Sequence, residues 1–193
     1  MRAGFWVVGL GLVVGAASAL RAEPAAPEEL AQTLKTITVK VSDGDNGVRV
    51  IESQCVVPRP QEAAWTQLID YDAYESYIPV LTESTVKGKE GSATIVYQKG
   101  KVQVLFFSKG FQMTLRMEET APTEVRVEAF EGDFHIYRGW WRLSRSPEGT
   151  RISHRLEVKP KFLMPTLIMK YVEHDIVEAI VRKLLAAPVG GGA

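Results

Sequence analysis

The hydrophobic pattern divides the chain into a long middle of period two and one late stretch of period 3.6. Over residues 163–187 a helical repeat places Ile168, Met169, Val172, Ile176, Ala179, Ile180 and Leu184 on one stripe, with Lys170, His174, Glu178 and Arg182 opposite. This predicts an amphipathic helix. Pro165 suits its first turn, and Pro188 with the glycines that follow would end it. Its scattered charges are unsuited to a membrane span, which needs about 20 predominantly apolar residues.

Alternation begins near Thr36. Ile37, Val39 and Val41, a turn around Asn46-Gly47, then Val48 and Val50 read as a β-hairpin whose second strand reaches Val57, with a phase slip at Val50-Ile51 that predicts a bulge. The aspartates of this turn do not make a calcium loop, because Gly47 and Gln54 stand where oxygen ligands are needed. Prolines 58 and 60 introduce a short helix over 61–69, and a second helical turn over 72–77 is stopped by Pro79. Asp70 and Asp72 are expected to cap these helices. Strands are then predicted at 80–87, 93–99 continuing to 107, 111–118, 124–130, 135–144 and 150–158. The turns between them, at 88–91, 108–110, 121–123, 131–133 and 147–149, are short enough to imply an antiparallel meander.

Parity within the strands separates two faces. Phe111, Met113, Leu115 and Met117; Val125, Val127 and Ala129; Tyr137, Gly139, Trp141 and Leu143; and Ile152, His154, Leu156 and Val158 share one side. Arginines and glutamates such as Arg116, Glu118, Arg126, Glu128, Arg138 and Arg155 fill the other. A sheet with one apolar face and a single long amphipathic helix buries both by curving around the helix. The expected class is α+β.

The chain has 193 residues, 46% of them hydrophobic, with 23 acidic and 23 basic side chains. One domain with a sizeable core follows. The balanced charge lacks the basic face that a phosphate backbone requires, so nucleic acid is not an expected partner. The first 22 residues have Arg2, an apolar run and small residues through Ala19, the grammar of a signal peptide. Cleavage after Ala19 or Ala22 would deliver the body to the periplasm or outside the cell; an uncleaved anchor is the alternative. Residues 23–35, rich in Ala, Pro and Glu, read as a tether, 36–187 as the domain, and 188–193 as a flexible tail. Cys55 is the one cysteine and is expected to be buried and inert.

No catalytic or metal-binding motif stands out. His135, His154 and His174 fall on separate elements without paired cysteines, no glycine-rich loop precedes a helix, and no serine sits in a nucleophile elbow. No metal or cofactor is expected. His154 shares parity with Ile152, Leu156 and Val158, so it should point inward, where an imidazole needs a partner. A tie to a neighbouring backbone group or Tyr, a polar contact to a ligand, and a general acid/base role all satisfy that need. Met113, Met117, Met164 and Met169 fit either a filled core or an adaptable cavity wall. Residues 102–107 end in an apolar run beside Lys109, suited to an internal strand or to an exposed tip touching a membrane surface.

Several stretches together resemble a known family. Pro60-Gln61-Glu62-Ala63-Ala64-Trp65, Leu68-Ile69-Asp70-Tyr71-Asp72-Ala73-Tyr74 and Tyr77-Ile78-Pro79, then Gly139-Trp140-Trp141-Arg142-Leu143, Gly149-Thr150-Arg151-Ile152 and Leu163-Met164-Pro165, resemble the START-like (SRPBCC) superfamily. Within it they are similar to the polyketide cyclase/dehydrase and lipid-transport group, which includes coenzyme-Q-binding proteins. The resemblance implies a helix-grip fold with a cavity for a hydrophobic small molecule, and it carries over no shared catalytic set. Trp65, Met113, Leu115, Val127, Tyr137, Trp141, His154, Leu156, Met169, Val172 and Ile176 are the candidate cavity residues. A carrier of a lipid, isoprenoid or polyketide-like molecule, a cyclase/dehydratase-type enzyme using His154 and Tyr137, and a protein-interaction adaptor docking through its apolar strand all remain open.

Overall fold

The computed structural model describes residues 27–104 and 106–186. The expected signal peptide and the flexible tail lie outside them. Eight antiparallel strands form one curved sheet: β1 (Thr38–Asp43), β2 (Arg49–Val57), β3 (Leu81–Glu90), β4 (Ala93–Val104), β5 (Phe107–Thr120), β6 (Glu124–Gly132), β7 (Phe134–Ser146) and β8 (Gly149–Pro160), in spatial order β1-β2-β8-β7-β6-β5-β4-β3. From β3 to β8 the chain is a meander. β8 then pairs with β2, so the first hairpin extends the same sheet. Helix α3 (Thr166–Ala186), about 32 Å long at 1.5 Å per residue, lies in the concave face. This is the helix-grip arrangement.

Gly139 shows how the sheet bends: a Cβ there would collide with the Arg155 carbonyl of the neighbouring strand, so only a residue without one permits this approach. Between β2 and β3, helix α2 (Gln61–Leu68) and a 3-10 turn (Tyr71–Ser76) carry the chain across the sheet. Ala64, Trp65 and Leu68 bury the inner side of α2, as its apolar spacing requires. Tyr74 donates from its hydroxyl to the Leu68 carbonyl at 2.5 Å. Asp72 is not a helix cap; its carboxylate accepts the Val86 N–H at 2.7 Å and moors the turn to β3.

Four further expectations are corrected. Residues 27–34 are not tether but helix α1 (Pro27–Leu34), which buries Thr33 and holds Arg59 through Glu29 at 3.2 Å. The ordered fold therefore begins before Thr36. The hairpin pairs in unbroken register from Thr38↔Gln54 to Asp43↔Arg49, with no bulge. Ile51, Ser53, Cys55 and Val57 all face inward, and the apparent slip arose because Val48 and Val50 do not belong to that face. The turn expected at 108–110 comes earlier: β4 ends at Val104, β5 starts at Phe107, and Ser108 to Gly110 already pair with β4. Finally, the buried row of α3 is Met169, Glu173, Val177, Ile180, Val181, Leu184 and Leu185. Val172, Ile176 and Ala179 are half-buried beside it.

Arg59 ties three parts together. Its guanidinium reaches Glu29 of α1 and donates to the Leu185 carbonyl at 2.9 Å, satisfying one of the orphan acceptors at the end of α3. Its own carbonyl accepts the Thr150 hydroxyl at 2.7 Å. Cys55 is buried, at 1% exposure, and burial pushes its thiol up to about 12, so it is held as an inert thiol.

Candidate functional site

Between α3 and the concave face lies a cavity of about 140 Å³. Its wall comes from almost every element. Strands β4 to β8 supply their inward parity, the 3-10 turn supplies Tyr71 and Tyr74, and α3 supplies Met169, Val172, Glu173, Ile176 and Ile180. Of the candidate residues, Met113, Leu115, Val127, Tyr137, Trp141, His154, Leu156, Met169, Val172 and Ile176 line it. Trp65 does not: it is buried on the inner side of α2, as part of the packed core. Met113, Met117, Met164 and Met169 all lie in the wall. Their unbranched side chains can repack around different shapes.

His154 points inward, and its partner is one that strand parity could not name. Nδ1 lies 2.7 Å from Oε1 of Glu173, and the Ser53 hydroxyl donates to the same oxygen at 2.8 Å. Both members are buried, His154 at 5% exposure and Glu173 at 4%. The Trp141 indole stacks on the imidazole, with ring centroids 3.8 Å apart and planes 12° from parallel. Burial alone would raise the Glu173 carboxyl, but the His154 charge and the hydrogen bonds from His154 and Ser53 outweigh it and hold the pKa below the usual glutamate value. Glu173 is therefore a carboxylate.

Glu173 and Ser53 were absent from the sequence candidates, yet a signal for Glu173 existed. It stands four residues after Met169, four before Val177 and seven before Ile180, in the apolar row itself. A charge in such a row, together with one inward histidine on a strand, marks a buried pair. Ser53 carried no comparable sign.

Other polar groups on the wall are few. Gln98 donates to the Ser84 hydroxyl at 3.3 Å, and Tyr71 donates to Glu119 at 3.0 Å. The Tyr137 phenol is pushed up by burial and by the nearby Glu173 charge, so it stays protonated. No lysine or arginine is among the described lining residues.

One end of the fold carries exposed apolar side chains. Phe106, at the β4–β5 turn, is 97% exposed, and Leu163, just before α3, is 87% exposed. Lys109 links the two segments, its ammonium 5.3 Å from the Phe162 ring. Phe162 in turn packs edge-on against the cavity residue Phe134.

The fold recurs in solved structures. TTHA0849 from Thermus thermophilus superposes with a TM-score of 0.61 at 20% identity, covering 71% of this chain and 97% of that one. The Zhui aromatase/cyclase from Streptomyces sp. R1128 gives 0.56 at 14% identity, covering 72% and 92%. A STAR-related lipid transfer protein from Xanthomonas axonopodis gives 0.54 at 15% identity, covering 76% and 98%. These likenesses show that the fold is shared. No curated protein matches the chain. The profile of the family described as polyketide cyclase / dehydrase and lipid transport matches residues 57–185, from the end of β2 to the last turn of α3, and the chain belongs to that family.

Proposed function

We propose that this protein binds a hydrophobic small molecule, a lipid, isoprenoid or polyketide-like compound, and carries it unaltered in the cavity between α3 and the sheet. The observation that carries this reading is the cavity itself, walled by inward residues of five consecutive strands and left open where a packed core would be filled. At about 140 Å³ it is close to the size that holds a single benzene ring, and the four methionines supply room to expand by rotamer change. The exposed Phe106 and Leu163 beside Lys109 support a transient contact with a membrane surface, from which such a ligand would be taken. Native mass spectrometry of the purified protein, before and after organic extraction, tests the carrier reading. A bound apolar mass that extraction removes is expected. A protein that holds nothing and takes up no apolar probe would refute it.

A second reading, a cyclase/dehydratase-type enzyme, is favoured by one observation: the His154–Glu173 pair is a carboxylate-oriented imidazole facing an apolar space. Prolonged incubation with the extracted ligand separates the two, since a carrier returns it unchanged. The N-terminal pattern supports export to the periplasm or beyond, and N-terminal sequencing of the exported protein should then begin at Leu20 or Glu23.

A further inference from the structure

Which nitrogen of His154 faces the ligand is fixed by its surroundings. The Glu173 carboxylate only accepts hydrogen bonds. The imidazole nitrogen 2.7 Å from it, Nδ1, therefore carries a proton. The Ser53 hydroxyl is committed to the same carboxylate oxygen, and at 3.4 Å from Nδ1 it is too distant to compete. Nε2 is then an acceptor in the neutral ring and an N–H donor in the protonated one. That atom has no protein partner among the described residues, and the one enclosed side-chain nitrogen or oxygen without a partner is Arg59 Nε. Nε2 is thus open to the cavity that His154 lines.

The wall also defines what cannot bind well. It has no lysine or arginine among its described residues, and its one carboxylate is Glu173. Whether the imidazole is neutral or protonated, the pair with Glu173 has no net positive charge. An anionic head group would lose its hydration and find no counter-charge. A wholly apolar ligand would leave Nε2 without a partner in a dry space. We infer that the cavity selects an uncharged, ring-sized apolar molecule bearing a hydroxyl group, which pairs with Nε2 of His154 by donating to the neutral ring or accepting from the protonated one. This rests on the cavity-binding reading above and narrows its ligand class.

Three matched probes test it: para-propylphenol, para-propyltoluene, in which a methyl replaces the hydroxyl, and para-propylbenzoate, which carries an anion. Calorimetric titration of the wild-type protein should rank the phenol about tenfold tighter than the toluene, the value of one such hydrogen bond, with the benzoate weakest. The NMR resonance of Nε2 should move with the phenol and not with the toluene. In the double variant His154→Phe/Glu173→Gln, which removes this polar partner without stranding a buried charge, the phenol's advantage should vanish while the toluene still binds. Equal binding of phenol and toluene to wild type, an unmoved Nε2 resonance, or benzoate binding tightest would each overturn the inference and leave the carrier reading standing. Failure of all three probes to bind would overturn both. The wild-type measurements decide the matter even if the double variant does not fold.

Discussion

Glu173 of α3 and His154 of β8 meet across the helix–sheet interface at 2.7 Å, so the helix is held to the sheet by a buried polar contact as well as by apolar packing. The contact fixes the rotation of α3. Turning the helix by one residue, about 100°, would carry the carboxylate away from its two donors and bury it unpaired.

The pair makes stability depend on acid in a stated direction. Glu173 is held below the ordinary glutamate value in the folded protein, so its contribution is present above the unfolded-state pKa, about 4.3, and is lost as pH falls through the lower folded value. Glu173→Gln should destabilise the protein by about 1–3 kcal/mol near neutrality, and the gap to wild type should shrink on acidification. Urea unfolding of both proteins between about pH 7 and pH 3 measures it. A gap independent of pH would mean that the carboxylate is not the favoured form.

Removing the other partner should be worse. His154→Ala leaves the Glu173 carboxylate buried with only the Ser53 hydroxyl, a loss of about 3–5 kcal/mol. Its thermal unfolding should therefore fall well below that of Glu173→Gln. The double variant His154→Ala/Glu173→Gln should recover part of the loss, because no charge is then stranded.

These residues also show where sequence was and was not enough. Strand parity identified the inner face of β5 to β8 almost completely, because period two is undisturbed where one face is wet and the other buried. The stripe on α3 found Met169, Ile180 and Leu184 but missed Glu173, Val177, Val181 and Leu185, because Glu173 stands in the buried row and a charged residue counts against burial until its partner on another strand is known. Helix α1 was hidden by an Ala/Pro/Glu composition that serves a helix as well as a tether. At the β4–β5 turn, an apolar run concealed a chain reversal whose tip residue, Phe106, faces solvent. Trp65 lies on the buried side of α2 as its spacing required, but spacing does not say which apolar space a side chain enters.

The orientation of α3 is itself testable. Leu184 is in the buried row and Glu178 is on the outer side, paired with Arg182 at 2.6 Å. Leu184→Ala should lose about 2–5 kcal/mol through the cavity it leaves. Glu178→Ala should remain within roughly 0.5 kcal/mol of wild type. Denaturant midpoints at constant slope would report both, and similar losses would contradict this orientation of the helix.

Cys55 offers a probe that needs no mutation. With its thiol pushed up to about 12 and its side chain enclosed, a thiol reagent at about pH 8 finds almost no thiolate and no route to it. The folded protein should remain unlabelled over hours and react stoichiometrically once guanidinium unfolds it. Rapid labelling under native conditions would mean that β2 opens locally.

The apolar end leads to the last expectation. Phe106 and Leu163 are nearly fully exposed, an arrangement that leaves large apolar area in water unless something covers it. Burying such a side chain gains about 1.5–3 kcal/mol, so inserting both into a bilayer would supply most of a weak, reversible attachment. The lysine beside them, Lys109, would add to it on an anionic surface. Replacing both apolar residues by aspartate, Phe106→Asp with Leu163→Asp, should reduce cosedimentation with anionic vesicles more than tenfold. Neither side chain is buried in the fold, so the melting temperature should be little changed. Vesicle binding that survives the double change would remove this end of the molecule as the membrane contact, and binding that tracks salt alone would assign it to the charged residues instead.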